Sequence, residues 1–154
     1  AEKYDMPILY SCHPRSRNRL AVSGFQLDPR VIQHEPLGFH DYNCLQMNAF
    51  AVVSDSGTLP EESSFFTSVG HPFPAICIRT STERPEAIDK GDFIIAGIDE
   101  KSLLQAVDTA VELCKDGQHG IPVPDYVDEN VSTKVVKIVQ SYVGIVNKMV
   151  WRKF

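Results

Sequence analysis

Short apolar runs alternate with amphipathic segments along the chain, and turn-forming residues end the runs. Five runs rich in β-branched and aliphatic residues are predicted as strands: PILYS (7–11), RVIQH (30–34), AFAVV (49–53), PAICI (74–78) and DFIIAG (92–97). Continuous apolar strands separated by helices are typical of a parallel sheet that is covered on both faces. The pattern therefore predicts an α/β fold, a three-layer Rossmann-like parallel sheet in one domain over residues 1–154.

The segments between and after these strands have helical periodicity. The segment PRSRNRLAVSG (14–24) has proline in its first turn and glycine past its end, the usual asymmetry of a helix. Shorter helices are predicted at YNCLQMNA (42–49) and LPEESSFFTSV (59–69). Apolar residues between 100 and 114 form a single helical stripe, and residues 131–149 form a longer final helix with a wide apolar face.

Composition excludes several classes of protein. With 154 residues, of which 43% are hydrophobic, the chain can bury a core of ordinary size. No apolar run approaches the roughly 20 residues of a membrane-spanning helix, and no signal-peptide pattern is present. The net charge of −5 argues against nonspecific binding to nucleic acid. Because the chain begins with AEKY rather than Met, we expect it to be a piece of a longer protein.

The sequence offers no signature of a metal or a dinucleotide cofactor. The four cysteines are far apart and have no metal-ligand spacing, so we interpret them as reduced core thiols of a cytoplasmic protein and predict no metal site. Neither GxGxxG nor the P-loop motif occurs, so we expect no cofactor. Ligands of a parallel sheet bind beyond the carboxyl ends of its strands. This rule selects four loops: 12–19, 35–42, 54–62 and 79–84.

The loop SDSGTLPEE (54–62) is an unusually polar end to an apolar strand. Thr58 and Glu61 fit a capping box, and Gly57 would let another backbone approach closely. The start of a helix also suits a phosphate, and Glu62 could accept hydrogen bonds from the hydroxyls of a sugar. Two interpretations therefore stay open, a helix cap without a ligand and a phosphate site.

The other loops carry alternatives of the same kind. Arg84 precedes a proline, which keeps it out of the α region, and its guanidinium could grip a phosphate or pair with Glu83. His13 and Arg15 end the first strand, where a histidine serves more often as a structural hydrogen-bond donor than as a catalyst. The remaining loop, residues 35–42, contains two aromatic residues. Each is either a stacking platform for a base or a packing residue of the core. They are Phe39 and Tyr42.

Several segments together resemble the non-hydrolysing UDP-N-acetylglucosamine 2-epimerases. The family's DSGG-x-x-EE loop resembles SDSGTLPEES, and its R-x-x-TERPEA segment resembles RTSTERPEA. EPLGFHDYNCL and YSCHPRSRNRL resemble two further family segments, so the similarity covers most of residues 7–111. The resemblance implies the C-terminal half of a GT-B architecture, whose last helix, here within residues 131–154, would cross to an N-terminal domain that we expect to be missing.

The resemblance also assigns substrate-binding roles. Ser56 and Gly57 would hold the diphosphate, Glu62 the ribose hydroxyls, and Arg84 would lie near the phosphates. An aromatic ring beside the uracil and a backbone contact to the base would come from Tyr42 and Leu37, and the loop with His13 and Arg15 faces the same edge. Two residues depart from the family pattern, which has glycine and often glutamine where this chain has Thr58 and Pro60.

The implied reaction is C2 epimerisation of a UDP-N-acetyl sugar by elimination and re-addition of UDP. The segment SSFFTSVGHPFP and the tail resemble a capsule polysaccharide branch that makes UDP-N-acetyl-L-fucosamine. The family's catalytic carboxylates and histidine have no counterpart in this chain, so we assign no catalytic residue and expect no epimerisation by it alone. Alternatives are the donor-binding half of a GT-B glycosyltransferase and a binding-only module. An uncovered apolar face on the final helix predicts self-association, hence a homo-oligomer.

Overall fold

The computed structural model describes residues 1–153. The chain divides into two compact units, residues 1–48 and the residues from 49 onward. Each unit contains its own parallel sheet with helices between the strands. The predicted α/β class is thus confirmed, and the five predicted strands pair as a two-stranded and a three-stranded sheet.

The first unit is a β-α-β-α segment. Strands β1 (Ile8–Ser11) and β2 (Val31–His34) pair in parallel. Helix α1 (Pro14–Ser23) begins with proline and ends at Gly24, whose left-handed backbone (φ 67°) suits a residue without a side chain. Helix α2 (Phe39–Asn48) begins three residues before the predicted start, at a phenylalanine that is 77% exposed, so the interpretation of Phe39 as a core residue is wrong.

The second unit is built around strand β4. It lies between β3 and β5 in a parallel sheet, and all three of its residues are buried. Each strand is shorter than predicted because the apolar runs extend beyond the paired residues. The elements of this unit up to the last turn are β3 (Val52–Ser54), α3 (Leu59–Ser68), β4 (Ala75–Cys77), α4 (Pro85–Asp89), β5 (Ile94–Ile95), α5 (Glu100–Lys115) and a 3-10 helix (Pro124–Tyr126).

The core of the second unit lies between this sheet, α3 and α5. The predicted stripe of α5 is confirmed, since its buried residues recur on one face. Asp99 caps α5 by accepting a hydrogen bond from the Ser102 N–H at 2.9 Å. Buried apolar residues of the core include Leu59, Phe66, Phe73, Ile76, Phe93, Ala106, Val107, Ala110 and Val111.

The turn that precedes β5 approaches another segment unusually closely. Asp92 is 5% exposed, and neither of its carboxylate oxygens has a hydrogen-bond partner among residues 1–153. A Cβ atom added to Gly120 would lie 2.3 Å from Asp92 Oδ1 and 2.6 Å from its backbone N and Cα. The Ser63 hydroxyl donates to the Asp92 carbonyl at 2.6 Å, and the Ile121 N–H donates to Lys90 at 2.8 Å. Glycine is therefore required at position 120.

The last helix, α6 (Val131–Met149), has the predicted bounds but buries no side chain in the described chain. Its apolar residues are mostly half exposed or more, and no helix within residues 1–153 is long and apolar enough to cross a membrane. All four cysteines are free thiols; Cys12 and Cys77 are buried as expected, whereas Cys44 is exposed, contrary to the prediction that all four are core residues.

Candidate functional site

The loop after β3 is held by its own hydroxyl groups. The Ser54 Oγ accepts from the Ser56 N–H at 3.0 Å, and the Ser56 Oγ accepts from the Thr58 N–H at 3.2 Å. Such hydrogen bonds from side chain to backbone fix the turn without a strand partner. The loop between the end of β3 and the start of α3 is only four residues long, 55–58.

Ser56, Thr58 and Glu62 form a continuous line of polar groups across the start of α3. The Ser56 and Thr58 hydroxyl oxygens are 2.9 Å apart, and the Thr58 hydroxyl donates to Glu62 Oε1 at 2.9 Å. Thr58 and Gly57 are exposed, whereas Ser56 and Glu62 are half buried. A ligand that approaches this loop therefore meets both hydroxyl and carboxylate groups.

The predicted capping box is wrong. Thr58 occupies the N-cap position, but its backbone is in the α region (φ −89°, ψ −13°) and its side chain makes no capping hydrogen bond. Its hydroxyl is bound to Glu62, and the carboxylate of Glu61 is bound to Arg84. A hydrogen bond to a charged group is stronger than one between neutral groups, so both partners of the predicted box are held elsewhere.

The start of α3 presents backbone donors. Within residues 1–153 the N–H groups of Gly57, Leu59 and Glu61 donate no hydrogen bond, and Pro60 has no N–H. Together with the helix dipole these groups favour an anion. The predicted backbone approach at Gly57 is not what the structure shows, because the nearest atom to an added Cβ would be Arg79 Nη1, at 3.8 Å.

Arg84 joins the starts of α3 and α4. Its Nε donates to Glu61 Oε1 at 2.8 Å, and its Nη2 lies 2.6 Å from the same oxygen. This hydrogen bond raises the pKa of Arg84 above its ordinary value. Arg84 has the predicted non-helical backbone (φ −127°, ψ 57°) and is the N-cap residue of α4.

The carboxylate of Glu83 pairs with Arg79 rather than with Arg84. Arg79 Nη1 and Nη2 donate to the two oxygens of Glu83 at 2.8 and 2.7 Å, a bidentate pair that lowers the pKa of Glu83. The open alternative that Glu83 neutralises Arg84 is therefore wrong. Arg79 was not among the predicted site residues, although its place just after β4 and its spacing of four residues from Glu83 could have indicated it.

A second contact ties α4 to the segment that follows α5. The Tyr126 hydroxyl donates to Glu86 Oε1. Burial and this hydrogen bond raise the pKa of Tyr126 to about 12, and the same bond lowers the pKa of Glu86. The 3-10 helix thereby contacts α4, the helix whose N-cap residue is Arg84.

The other predicted site residues belong to the first unit. His13 is the N-cap residue of α1, and its Nδ1 accepts from the Arg15 N–H at 3.2 Å, so the ring accepts a structural hydrogen bond and does not donate one as predicted. Both residues are exposed, as is Leu37. Tyr42 is half buried in the first turn of α2.

The eight predicted residues thus fall into two groups of four. Ser56, Gly57, Glu62 and Arg84 lie at the starts of α3 and α4 in the second unit. His13, Arg15, Leu37 and Tyr42 lie in the first unit. No group of three or more His, Cys, Asp or Glu residues within the described part of the chain could hold a metal ion.

The chain is similar to known 2-epimerases in sequence and in structure. The family model described as UDP-N-acetylglucosamine 2-epimerase matches residues 1–140. The UDP-N-acetylglucosamine 2-epimerase of Methanocaldococcus jannaschii is 32% identical over 111 residues, which are 70% of this chain and 29% of that protein. The chain therefore spans less than a third of that relative.

Two solved structures show the same likeness. The UDP-N-acetylglucosamine 2-epimerase of Rickettsia bellii matches with a TM-score of 0.82 and 37% identity over 99% of this chain and 41% of that one. The Methanocaldococcus jannaschii epimerase in complex with UDP-GlcNAc and UDP matches with a TM-score of 0.75 and 26% identity, over 91% of this chain and 37% of that one. The α/β fold described above is therefore that of these epimerase structures.

Proposed function

Because the chain belongs to the UDP-N-acetylglucosamine 2-epimerase family, we propose that it forms the UDP-binding half of a UDP-N-acetyl-sugar 2-epimerase. One observation carries the proposal. At the start of α3, Ser56, Thr58 and Glu62 form a line of hydroxyl and carboxylate groups, beside backbone donors that face no partner within residues 1–153. A nucleoside diphosphate offers the complement, with anionic oxygens at one end and sugar hydroxyls next to them.

The roles follow from the chemistry of each group. The backbone donors at Gly57 bind the diphosphate, which the helix dipole also favours. The Ser56 hydroxyl, which donates to the Thr58 oxygen at 2.9 Å in the structure, turns to the diphosphate when the ligand binds. The carboxylate of Glu62 accepts hydrogen bonds from the ribose hydroxyls. Arg84 pairs with Glu61 and so offsets one of the two acidic charges in the first turn of α3, while Arg79, paired with Glu83, lies beside Gly57.

The remaining predicted residues keep in this proposal the roles that the family pattern gives them. Tyr42 stacks beside the uracil, and Leu37 contacts the base through its backbone. His13 and Arg15 follow strand β1 at the N-cap and in the first turn of α1, at the carboxyl edge where parallel sheets bind ligands. The support for these four roles is the family pattern.

The full reaction requires groups outside this chain. UDP leaves as the C1–O bond breaks and the C2 proton is removed, giving a glycal-like intermediate; re-addition of UDP with a proton on the opposite face of C2 completes the epimerisation. We assign the acid and base to the rest of an epimerase chain. We further propose UDP-N-acetyl-L-fucosamine synthesis for a capsule as the pathway, and the cytoplasm as the compartment because all four cysteines are free thiols.

The exposed face of α6 fits the same proposal. The chain spans 41% of the Rickettsia bellii epimerase, and we propose that an N-terminal domain covers the apolar residues of α6. Without such a domain a second copy of the chain would cover them, because large exposed apolar patches tend to find partners. Sedimentation at increasing concentration tests this, and a strictly monomeric profile would contradict it.

Calorimetric titration with UDP tests the proposed site. Replacing Glu62 or Arg84 with Ala removes a charged hydrogen-bonding group, and we expect each variant to lose affinity by about 10- to 100-fold. Glu112→Ala is the matched control, because it removes one carboxylate from an exposed position on α5. Unchanged affinity in Glu62→Ala would contradict the role of Glu62 as the ribose ligand. Epimerisation by residues 1–154 alone would contradict the assignment of the acid and base to the rest of an epimerase chain.

A further inference from the structure

Thr58 holds the carboxylate of Glu62 through a hydrogen bond whose direction is fixed. An ionised carboxylate can only accept, so the proton of the Thr58 hydroxyl points at Glu62 Oε1, 2.9 Å away. The Thr58 oxygen must then accept from the Ser56 hydroxyl, also at 2.9 Å. The Ser56 oxygen in turn accepts from the Thr58 N–H at 3.2 Å.

This arrangement restricts the rotation of the Glu62 side chain. A glutamate has three rotatable bonds, and fixing them costs conformational entropy each time a ligand is bound. Glu62 is half buried on the first turn of α3, and its Oε1 is fixed to a hydroxyl on the residue that begins the helix. A group that is already in its bound orientation binds more tightly, because the ordering cost is met on folding.

We propose that Thr58 is a positioning residue that presents the Glu62 carboxylate to the ribose hydroxyls of the nucleotide. The inference rests on the proposed function, since it takes Glu62 as the ribose ligand. Thr58 touches the ligand only through Glu62, and its hydroxyl links the ribose end of the site to Ser56 at the diphosphate end. A valine in this place has the same shape and no hydroxyl, so it would remove this hydrogen bond from Glu62.

The test compares the affinities of two ligands for the wild type and for two variants. UDP and 2′,3′-dideoxy-UDP are titrated into the wild type, Thr58→Val and Thr58→Ser, and circular dichroism confirms that each variant is folded. We expect Thr58→Val to lower the affinity for UDP about three- to tenfold and to leave the affinity for the dideoxy ligand within twofold. Thr58→Ser keeps the hydroxyl and should restore UDP affinity to within twofold of the wild type.

The outcomes separate this inference from the proposal on which it rests. A wild type that does not bind UDP, or that binds both ligands equally, overturns the ribose role of Glu62 and with it the proposed site. A wild type that prefers UDP, together with a Thr58→Val variant that keeps the full preference, overturns only the role of Thr58. Equal losses for both ligands in Thr58→Val would show a structural effect on the loop and would likewise overturn the inference.

Discussion

Replacing Gly120 with Ala should destabilise the second unit strongly for so small a change. The added Cβ would lie 2.3 Å from Asp92 Oδ1 and 2.6 Å from the Asp92 backbone N and Cα. A carboxylate oxygen can rotate away, but the backbone cannot, because the Asp92 N–H donates to Ala87 at 3.0 Å and its carbonyl accepts from Ser63 at 2.6 Å. Overpacking of this kind costs roughly 1 to 3 kcal/mol of the free energy of unfolding.

Urea unfolding followed by circular dichroism measures this cost, and Gly144→Ala is the matched control. Gly144 lies inside α6, and no heavy atom lies within 4 Å of its added Cβ. The same substitution there should stabilise the helix by about 0.5 to 1 kcal/mol, because glycine is a poor helix former. If Gly120→Ala were as stable as the wild type, the close contact between residue 120 and Asp92 would be refuted.

Three further predictions concern ionisable side chains. Burial raises the pKa of Asp92, so folding disfavours its charged form. Urea unfolding should therefore show Asp92→Asn gaining stability over wild type as pH rises above about 4, and no gain below it. The pKa of Tyr126 is raised to about 12 by burial and by Glu86, so Tyr126→Phe should be less stable than wild type at neutral pH, and the difference should shrink as pH rises from about 10 toward 12. Glu83→Gln removes the charge that occupies Arg79, so calorimetry should show about two- to fivefold tighter UDP binding, and weaker binding would contradict a phosphate role for Arg79.

Long periodic helices were predictable from the sequence, and the two shortest helices were not. The stripe of α5 and the bounds of α6 follow from many turns of consistent pattern, so local and tertiary preferences agree. Helix α4 and the 3-10 helix have five and three residues, too few for a period to appear. The pairing of strands into two sheets depends on contacts between distant segments, which periodicity does not report.

The candidate site shows the same limit at the level of single residues. Sequence reasoning selected the polar loop, but it paired Thr58 with Glu61. The true partner of Glu61 is Arg84, which is 23 residues away in the chain and adjacent only because α3 and α4 start close together. A local sequence motif does not show that a residue of another element will bind the same side chain. The contact of Arg79 with Glu83 follows from a local spacing of four residues, whereas its position beside Gly57 exists only in the folded unit.

The exposure of helix α6 also determines how fast its backbone amides exchange with solvent. Its 19 residues bury no side chain in the described chain, so its amide protons are protected from solvent by little more than the hydrogen bonds of the helix itself. In hydrogen–deuterium exchange these amides should be replaced long before those of β4, whose residues are all buried. Any surface that covers α6 would slow its exchange, which makes the helix a reporter of assembly independent of the nucleotide loop.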